Sequence, residues 1–363
     1  MSRRFWRWWG IATALTAASA VAACASYDPI VYTERVPYEW ETWTPDGGTD
    51  GDAGPDSSAS PGASAPPSSA TSADPKGGAP PKTAERTVFP SDNFWNKDVS
   101  GDPVDPKGHK YLESIGLDTP LKADFSAPEP WTKGKPGFGI PFQYVAGDQK
   151  KVPVEFKWSK ESDPGPYPIP DSPLIERGDD RHLIMVDKDN WLLYELFEAR
   201  LDGGKWKAQS GAIFDLKSNK ARPAGWTSAD AAGLAIFPGL VKVDEVLKKK
   251  AITHALRFTV KSTQRAYVPP ASHFASDKTD ANLPPMGTWL RLKPNVAVDG
   301  FSQNIQVILN ALKKHGMILA DNGSNLFLSG EPSDLWLDAE LKELKRIKCR
   351  DFEVVKTGEL VTQ

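Results

Sequence analysis

Cysteine is nearly absent: the 363 residues include only Cys24 and Cys349. If Cys24 is otherwise engaged, an internal disulfide is impossible and the fold must stand on its core. Charge of one sign is not in excess either. The 47 acidic side chains against 44 basic ones leave a net charge of −3, which argues against nucleic acid as a partner. Five histidines occur, none in a close pair such as HExxH or HxH, so no local metal-ligand motif is present. Ser210, Ser228 and Ser272 lack a GxSxG elbow, the usual signal of a serine hydrolase. Internal repeats are also lacking.

Residues 1–23 have the layout of a cleaved export signal. Arg3, Arg4 and Arg7 open it, an apolar run from Trp8 to about Ala20 follows, and small residues precede Cys24. The run is too short for a typical membrane span. Val21-Ala22-Ala23-Cys24 resembles the lipobox of bacterial lipoproteins, which implies a lipidated Cys24 and a membrane contact made through the anchor alone. Ala25 and Ser26 leave out the retention Asp of some inner-membrane lipoproteins, so an outer-membrane address is expected in a diderm. Residues 24–86 are rich in Pro, Gly, Ser, Ala and Asp and read as a flexible tether, interrupted by Tyr32, Tyr38, Trp40 and Trp43. Cys349 lies among Lys345, Arg346, Lys348 and Arg350 with no histidine near it in sequence, and reads as structural.

Residues 87–363 read as one secreted folded domain, expected to be a monomer. Apolar and aromatic runs at 181–186 and 191–197 flank Asp187-Lys188-Asp189-Asn190 and predict a hairpin. Further strands are predicted over 152–158, 211–216, 255–260 and 288–292, with 317–320 and 326–329 paired around Asp321-Asn322-Gly323-Ser324. Ile305, Ile308, Leu309 and Leu312 at i, i+3, i+4 and i+7, with Gly316 as a stop, predict a helix over 302–315. Weaker helical patterns cover 243–249 and 335–346. The expected class is mainly β, an antiparallel sandwich or barrel of jelly-roll type with a few added helices; the alternative is an irregular α+β domain.

Several segments share a recognisable pattern. They include Gly178-Asp179-Asp180-Arg181-His182, Ser210-Gly211-Ala212-Ile213-Phe214-Asp215-Leu216 and the stretch from Arg222 to Leu234. His254-Ala255-Leu256-Arg257-Phe258-Thr259, Pro284-Pro285-Met286-Gly287 and Ala320-Asp321-Asn322-Gly323-Ser324 belong with them. Together they resemble a family of secreted, largely uncharacterised bacterial proteins over most of residues 88–355. The resemblance implies a single folded unit and carries no reaction with it.

Candidate chemistry gathers in the same segments. His182, His254 and His273 with Asp180 or Asp230 form the one candidate set for a metal ion; no other cofactor is expected. Glu195 lies among Leu193, Tyr194, Leu196 and Phe197, where desolvation would raise its pKa toward that of a general acid. Glu198, three residues on, falls on the opposite strand face. Asp230, in a small-residue stretch after Trp226, either caps a short helix or faces a cleft. Asp321-Asn322-Gly323 reads as a turn.

Eight tryptophans in the folded part favour a sugar ligand, because an indole face can stack on a pyranose; Trp226 and Trp131 are expected to be exposed. The leading reading is therefore a surface-anchored protein acting on a polysaccharide or cell-wall polymer. Glycoside hydrolysis would use Asp180, Glu195 and Asp230. Lyase chemistry would use His182, Arg181, Arg257 and Tyr267, and the full candidate site joins these to His254, Trp226 and His273. The rival is a non-catalytic carbohydrate-binding or envelope-structural lipoprotein.

Overall fold

Strands form where β-branched and aromatic residues recur at period two, and in this computed structural model they make three open sheets. The structure describes residues 87–128 and 137–362, all within one compact unit, Pro66–Gln363. The export signal, Cys24, the tether and Trp131 lie outside the described residues.

The strands are numbered in chain order. The largest sheet runs β1 (Lys122–Asp124), β12 (Phe327–Ser329), β9 (Leu256–Val260), β11 (Met317–Asn322), β10 (Trp289–Leu292) and β13 (Phe352–Val355). A second runs β2 (Phe142–Val145), β4 (Leu183–Asp187), β5 (Leu192–Phe197) and β8 (Ser210–Asp215). A small third joins β3 (Val154–Phe156), β7 (Lys205–Ala208) and β6 (Arg200–Asp202). Helices α1 (Gly108–Ile115), α2 (Gln303–Lys314) and α3 (Asp338–Leu341) complete the regular elements.

The expected antiparallel sandwich or barrel is overturned: the fold is mixed α+β, the alternative class, and none of the three sheets closes. The pairs β1/β12, β9/β11, β2/β4 and β3/β7 are parallel. Parallel pairs need long crossovers, which period-two patterning within one strand does not reveal. The β4–β5 hairpin forms as expected, its turn closed by Asp187 Oδ1 accepting from the N–H groups of Asp189 and Asn190. Helix α2 buries Ile305, Ile308, Leu309 and Leu312, and Gly316 follows it at φ +68°. Helix α1 had no prediction; its Gly108 packs directly on Val354, with no room for a Cβ. The 335–346 pattern divides into α3 and a 3-10 turn, Lys342–Arg346, and 244–249 is π-helical.

The expected hairpin around Asp321-Asn322-Gly323-Ser324 does not exist. Strand β9 lies between β11 and β12, parallel to the first and antiparallel to the second. The loop instead wraps the end of β9: Gly323 N–H donates to Val260 O, Leu326 N–H donates to Thr259 O, and Thr259 Oγ1 donates to Ser324 O. A register shift in β11 between Leu319 and Asp321 makes Ala320 a bulge. Leu319 pairs with Phe258 and Asp321 with Thr259, so the bulge turns the Asp321 side chain to the face that carries Arg257. By register Ser329 and Asp124 share that face.

The Ala320 carbonyl accepts from Ala232 N–H and thereby anchors the turn that presents Asp230. Gly233 ends this turn at φ +72°, where a Cβ would stand 2.1 Å from Ser272 Oγ and 2.6 Å from Trp226 O. Gly178 also has a positive φ, +106°, but open space around it. Gly178→Ala should therefore cost only the backbone strain of its positive φ, about 1–3 kcal/mol. Gly233→Ala should cost clearly more, because Ser272 and a backbone carbonyl must also move. Urea unfolding of both variants measures the difference; equal losses would contradict the packing described for the 230–233 turn.

Candidate functional site

Arg257 is the centre of the polar cluster. It is the second residue of β9 and has 4% of its surface exposed, so its guanidinium must find protein partners. Nε donates to Asp230 Oδ2 at 2.7 Å and Nη2 to Asp230 Oδ1 at 2.5 Å, a bidentate fork. Nη1 donates to Ser329 Oγ at 2.5 Å, and Asp321 Oδ2 stands 3.6 Å from Nη2. Asp230 is therefore a buried ion-pair partner rather than a helix cap, and Ser228 Oγ receives its backbone N–H.

His182 lies beside this pair, 3% exposed. Its Nδ1 is 2.5 Å from Glu176 Oε2 and its Nε2 is 3.2 Å from Ala229 O. Both neighbours only accept, so both ring nitrogens carry protons and the ring is an imidazolium. Burial alone would lower its pKa, but the charge and hydrogen bond of Glu176 outweigh it and raise the pKa to about 9. Burial likewise opposes ionisation of Glu176, yet the His182 charge and hydrogen bonds hold that carboxyl below its usual range.

With Arg257 paired to Asp230 and His182 to Glu176, three further carboxyls are left over. Desolvation pushes Asp321 up to about 8, and the Asp230 charge and hydrogen bond add to the shift against the pull of Arg257. Asp124 and Asp180 present exposed surface at the rim. Desolvation by the surrounding protein raises both, and the Glu176 charge adds to each. The result is a rigid, ion-paired floor beneath a rim of carboxyl acceptors.

An aromatic ladder leads from solvent to this floor. Trp158 is 42% exposed and stacks on Phe197 with centroids 6.2 Å apart and planes at 20°. Phe197 in turn lies 5.5 Å from the His182 ring.

The other predicted residues distribute differently. Glu195 is fully buried and has the raised pKa foreseen for it, about 7, caused first by burial. Its oxygens, however, receive the N–H groups of Ile236 and Phe237, so it fastens a 3-10 turn. His254 belongs to a second buried cluster, with Nε2 3.0 Å from Glu245 Oε2 and 3.4 Å from Lys242 Nζ. Arg181, at φ +45°, donates from Nε to Ala199 O. Tyr267 is in the core. His273 binds the Ala231 carbonyl through Nδ1 and stacks on Phe274. Trp226 is half-buried under the Arg222 guanidinium. Among the described residues no group of three or more His, Cys, Asp or Glu is arranged to hold a metal ion. Cys349 is buried, and desolvation pushes its thiol up to about 12.

Sequence reasoning missed Asp124, Glu176, Asp321, Ser329 and the exposure of Trp158. Asp321 was hidden by its turn-like neighbours; Glu176 and Asp124 stand in stretches without period or motif. No family model, curated protein or solved structure matches this chain.

Two measurements check this electrostatic picture. His182 should carry both ring protons at pH 7.5 and titrate near 9, as read by imidazole 15N NMR; a ring titrating near 6.5 would contradict the Glu176 pair. The linkage sign follows from the two shifts. The His182 contribution to stability is complete below the ordinary 6.5 and lost as pH rises through about 9. That of Glu176 is present above the ordinary 4.5 and lost as pH falls.

Glu195→Ala should cost about 2–5 kcal/mol, because it leaves two buried N–H groups without an acceptor. Glu195→Gln retains an oxygen for both and should stay within about 1 kcal/mol of the parent. Because the Glu195 pKa is raised on folding, ionisation penalises the parent as pH climbs through 7, so the Gln variant should gain on it there. Urea denaturation at pH 5 and pH 8 tests both signs.

Proposed function

We propose that the chain is an exported lipoprotein, anchored through Cys24, whose folded domain binds a polysaccharide at the carboxyl rim above Arg257. The observation that carries this reading is the exposed Trp158 at the head of the ladder that reaches His182, beside a rim of carboxyl acceptors. The exposed part of the Trp158 indole, which rests on Phe197 and has Lys157 Nζ 5.6 Å from its centroid, offers apolar area to a pyranose, and Asp124, Asp180 and Asp321 offer acceptors to its hydroxyls. The Arg257–Asp230 pair beneath them fixes the rim before the ligand arrives.

Four of the five candidate catalytic side chains favour binding over turnover, and the fifth, Asp180, lies exposed at the rim. Glu195, Asp230, His182 and His254 are each buried and already bonded to protein partners. A lyase would need a free cation for a uronate, and the Arg257 fork is occupied by Asp230. Hydrolysis remains as a second reading, favoured by one observation. The β11 bulge brings the Asp321 carboxyl against Asp230, where it retains its proton near neutral pH and could act as a general acid.

Affinity electrophoresis in gels containing soluble cell-wall glycan, xylan or chitosan tests the binding reading, and reducing-end release from the same polymers tests hydrolysis. Trp158→Ala and Asp180→Asn should each weaken retardation about tenfold while leaving thermal unfolding unchanged. Absence of retardation in every polymer would remove the proposal. New reducing ends that vanish in Asp321→Asn, with binding retained, would replace binding alone by hydrolysis.

A further inference from the structure

Asp321 and Asp230 stand within hydrogen-bonding reach of each other beside Arg257. Ionised carboxylates only accept, so the two can meet in this way only with a proton between them. Arg257 does not remove that need. Its Nε and Nη2 donate to Asp230 and its Nη1 to Ser329, while Asp321 Oδ2, at 3.6 Å from Nη2, is beyond hydrogen-bond length. The two carboxyls differ in freedom. The Asp230 side chain has no exposed surface and is held by the fork, whereas 24% of the Asp321 side chain is open to water.

Asp321 also begins the wrap around β9. Ala320, just before it, is the bulge whose carbonyl receives Ala232 N–H. Residues 322–326, just after it, are uncharged and are held to β9 by the N–H groups of Gly323 and Leu326 and by Thr259 Oγ1. The charged groups that face Asp321 are Arg257 on β9, Asp230 in the turn, and His182, just before β4, with its partner Glu176. Asp124 on β1 and Asp180 lie at the rim beyond them, and β12 presents the neutral Ser329. Strand β10 pairs with β11 further back, at Met317 and Ile318. Lys261, exposed past the end of β9, meets the wrap through its backbone N–H, which donates to Asn325 Oδ1.

We propose that Asp321 is a proton-operated latch: protonated, it donates to Asp230 and pins the β11 bulge and the 322–326 wrap onto β9; ionised, it gives its proton to water, turns outward and lets the wrap loosen. Release withdraws one of the three rim carboxyls from its place. Desolvation first, then the Asp230 charge and hydrogen bond, hold the latched carboxyl up to about 8 against the pull of Arg257 and His182. Turned to water, the same carboxyl returns to the ordinary 3.8. The latch is therefore complete below 3.8 and weakens tenfold for each pH unit from there to about 8, above which both forms are ionised and the trend stops.

Native-state amide exchange, corrected for intrinsic chemical rates, reads the latch at Ala232, Gly323 and Leu326 between about pH 5 and pH 9, and carboxyl 13C NMR reads Asp321 itself. In the parent, protection at the three amides should fall about tenfold per pH unit and level off near pH 8, where Asp321 titrates. Trp191 N–H, which donates to Asp187 O in the second sheet, should not follow them. Asp321→Asn keeps a donor toward Asp230 that does not titrate, so its three amides should lose the slope and stay protected. Asp321→Ala has no donor and should show, at every pH, the low protection that the parent reaches above pH 8. If the Ala variant does not fold, the parent titration and the Asn variant decide. No polysaccharide enters the measurement, so failure of the latch and failure of polymer binding are separate outcomes. The proposal is overturned if the parent amides show no slope, if the slope persists in Asp321→Asn, if Trp191 follows it, or if Asp321 titrates near 3.8.

Discussion

A guanidinium removed from water must recover its hydrogen bonds from the protein, and the way Arg257 does so organises the middle of this fold. Its donors reach Asp230 in the turn after Trp226 and Ser329 at the end of β12, with Asp321 of β11 alongside. The turn at 228–233 and the neighbouring strands β11 and β12, some ninety residues further on, are thereby tied to β9. Such a buried pair contributes modestly relative to an apolar replacement, but loss of one partner leaves a naked charge and costs about 3–5 kcal/mol. The pair therefore specifies an arrangement more than it adds stability. The position of the 228–233 turn, the β11 bulge and the β12 terminus are all consistent with one guanidinium.

The same pair sets the electrostatics of the surface above it. Arg257 neutralises Asp230 and His182 neutralises Glu176, and the pull that both cations still exert on Asp321 is too weak to hold it ionised. Desolvation and the neighbouring Asp230 charge then dominate, and the Asp321 proton is retained to about pH 8. Asp124 and Asp180 are raised for related reasons, desolvation first and the Glu176 charge after it. A rim of acceptors with a retained proton is thus a consequence of charge pairing one layer below the surface, with no cation needed at the surface itself.

Local chemistry was legible in the sequence and long-range order was not. The β4–β5 hairpin and helix α2 follow from periods of 2 and 3.6 residues, and both form where the pattern places them. Burial of Glu195 was also readable from its apolar neighbours, but its partners, Ile236 and Phe237, lie some forty positions away and have no sequence signature. Asp321 shows the limit most clearly. Asp-Asn-Gly is a strong turn signal on local grounds, yet β9 enters between the flanking strands, so the would-be hairpin becomes a wrap around β9. The insertion depends on a parallel pairing, and a parallel pairing is decided by a crossover rather than by the strand's own residues. The misassigned turn and the missed Asp321 carboxyl are therefore one error with one cause.

The second ionic cluster is joined to the first through the backbone. Val241 N–H donates to Ser329 O and Glu331 N–H donates to Val241 O, while the Glu331 carboxylate receives Val243 N–H at 2.6 Å. Ser329 touches Arg257; Glu331 stands by Lys242, which in turn approaches Glu245 and His254. Only Gly330 separates the two contacts, and a Cβ there would collide with the Phe125 ring. A displacement of Ser329 is therefore felt at Glu331, and neither cluster can shift without straining the hydrogen bonds that join β12 to the 241–243 segment. The floor under the carboxyl rim is consequently held by both ionic clusters, and His254, though outside the rim, belongs to the structure that holds it in shape.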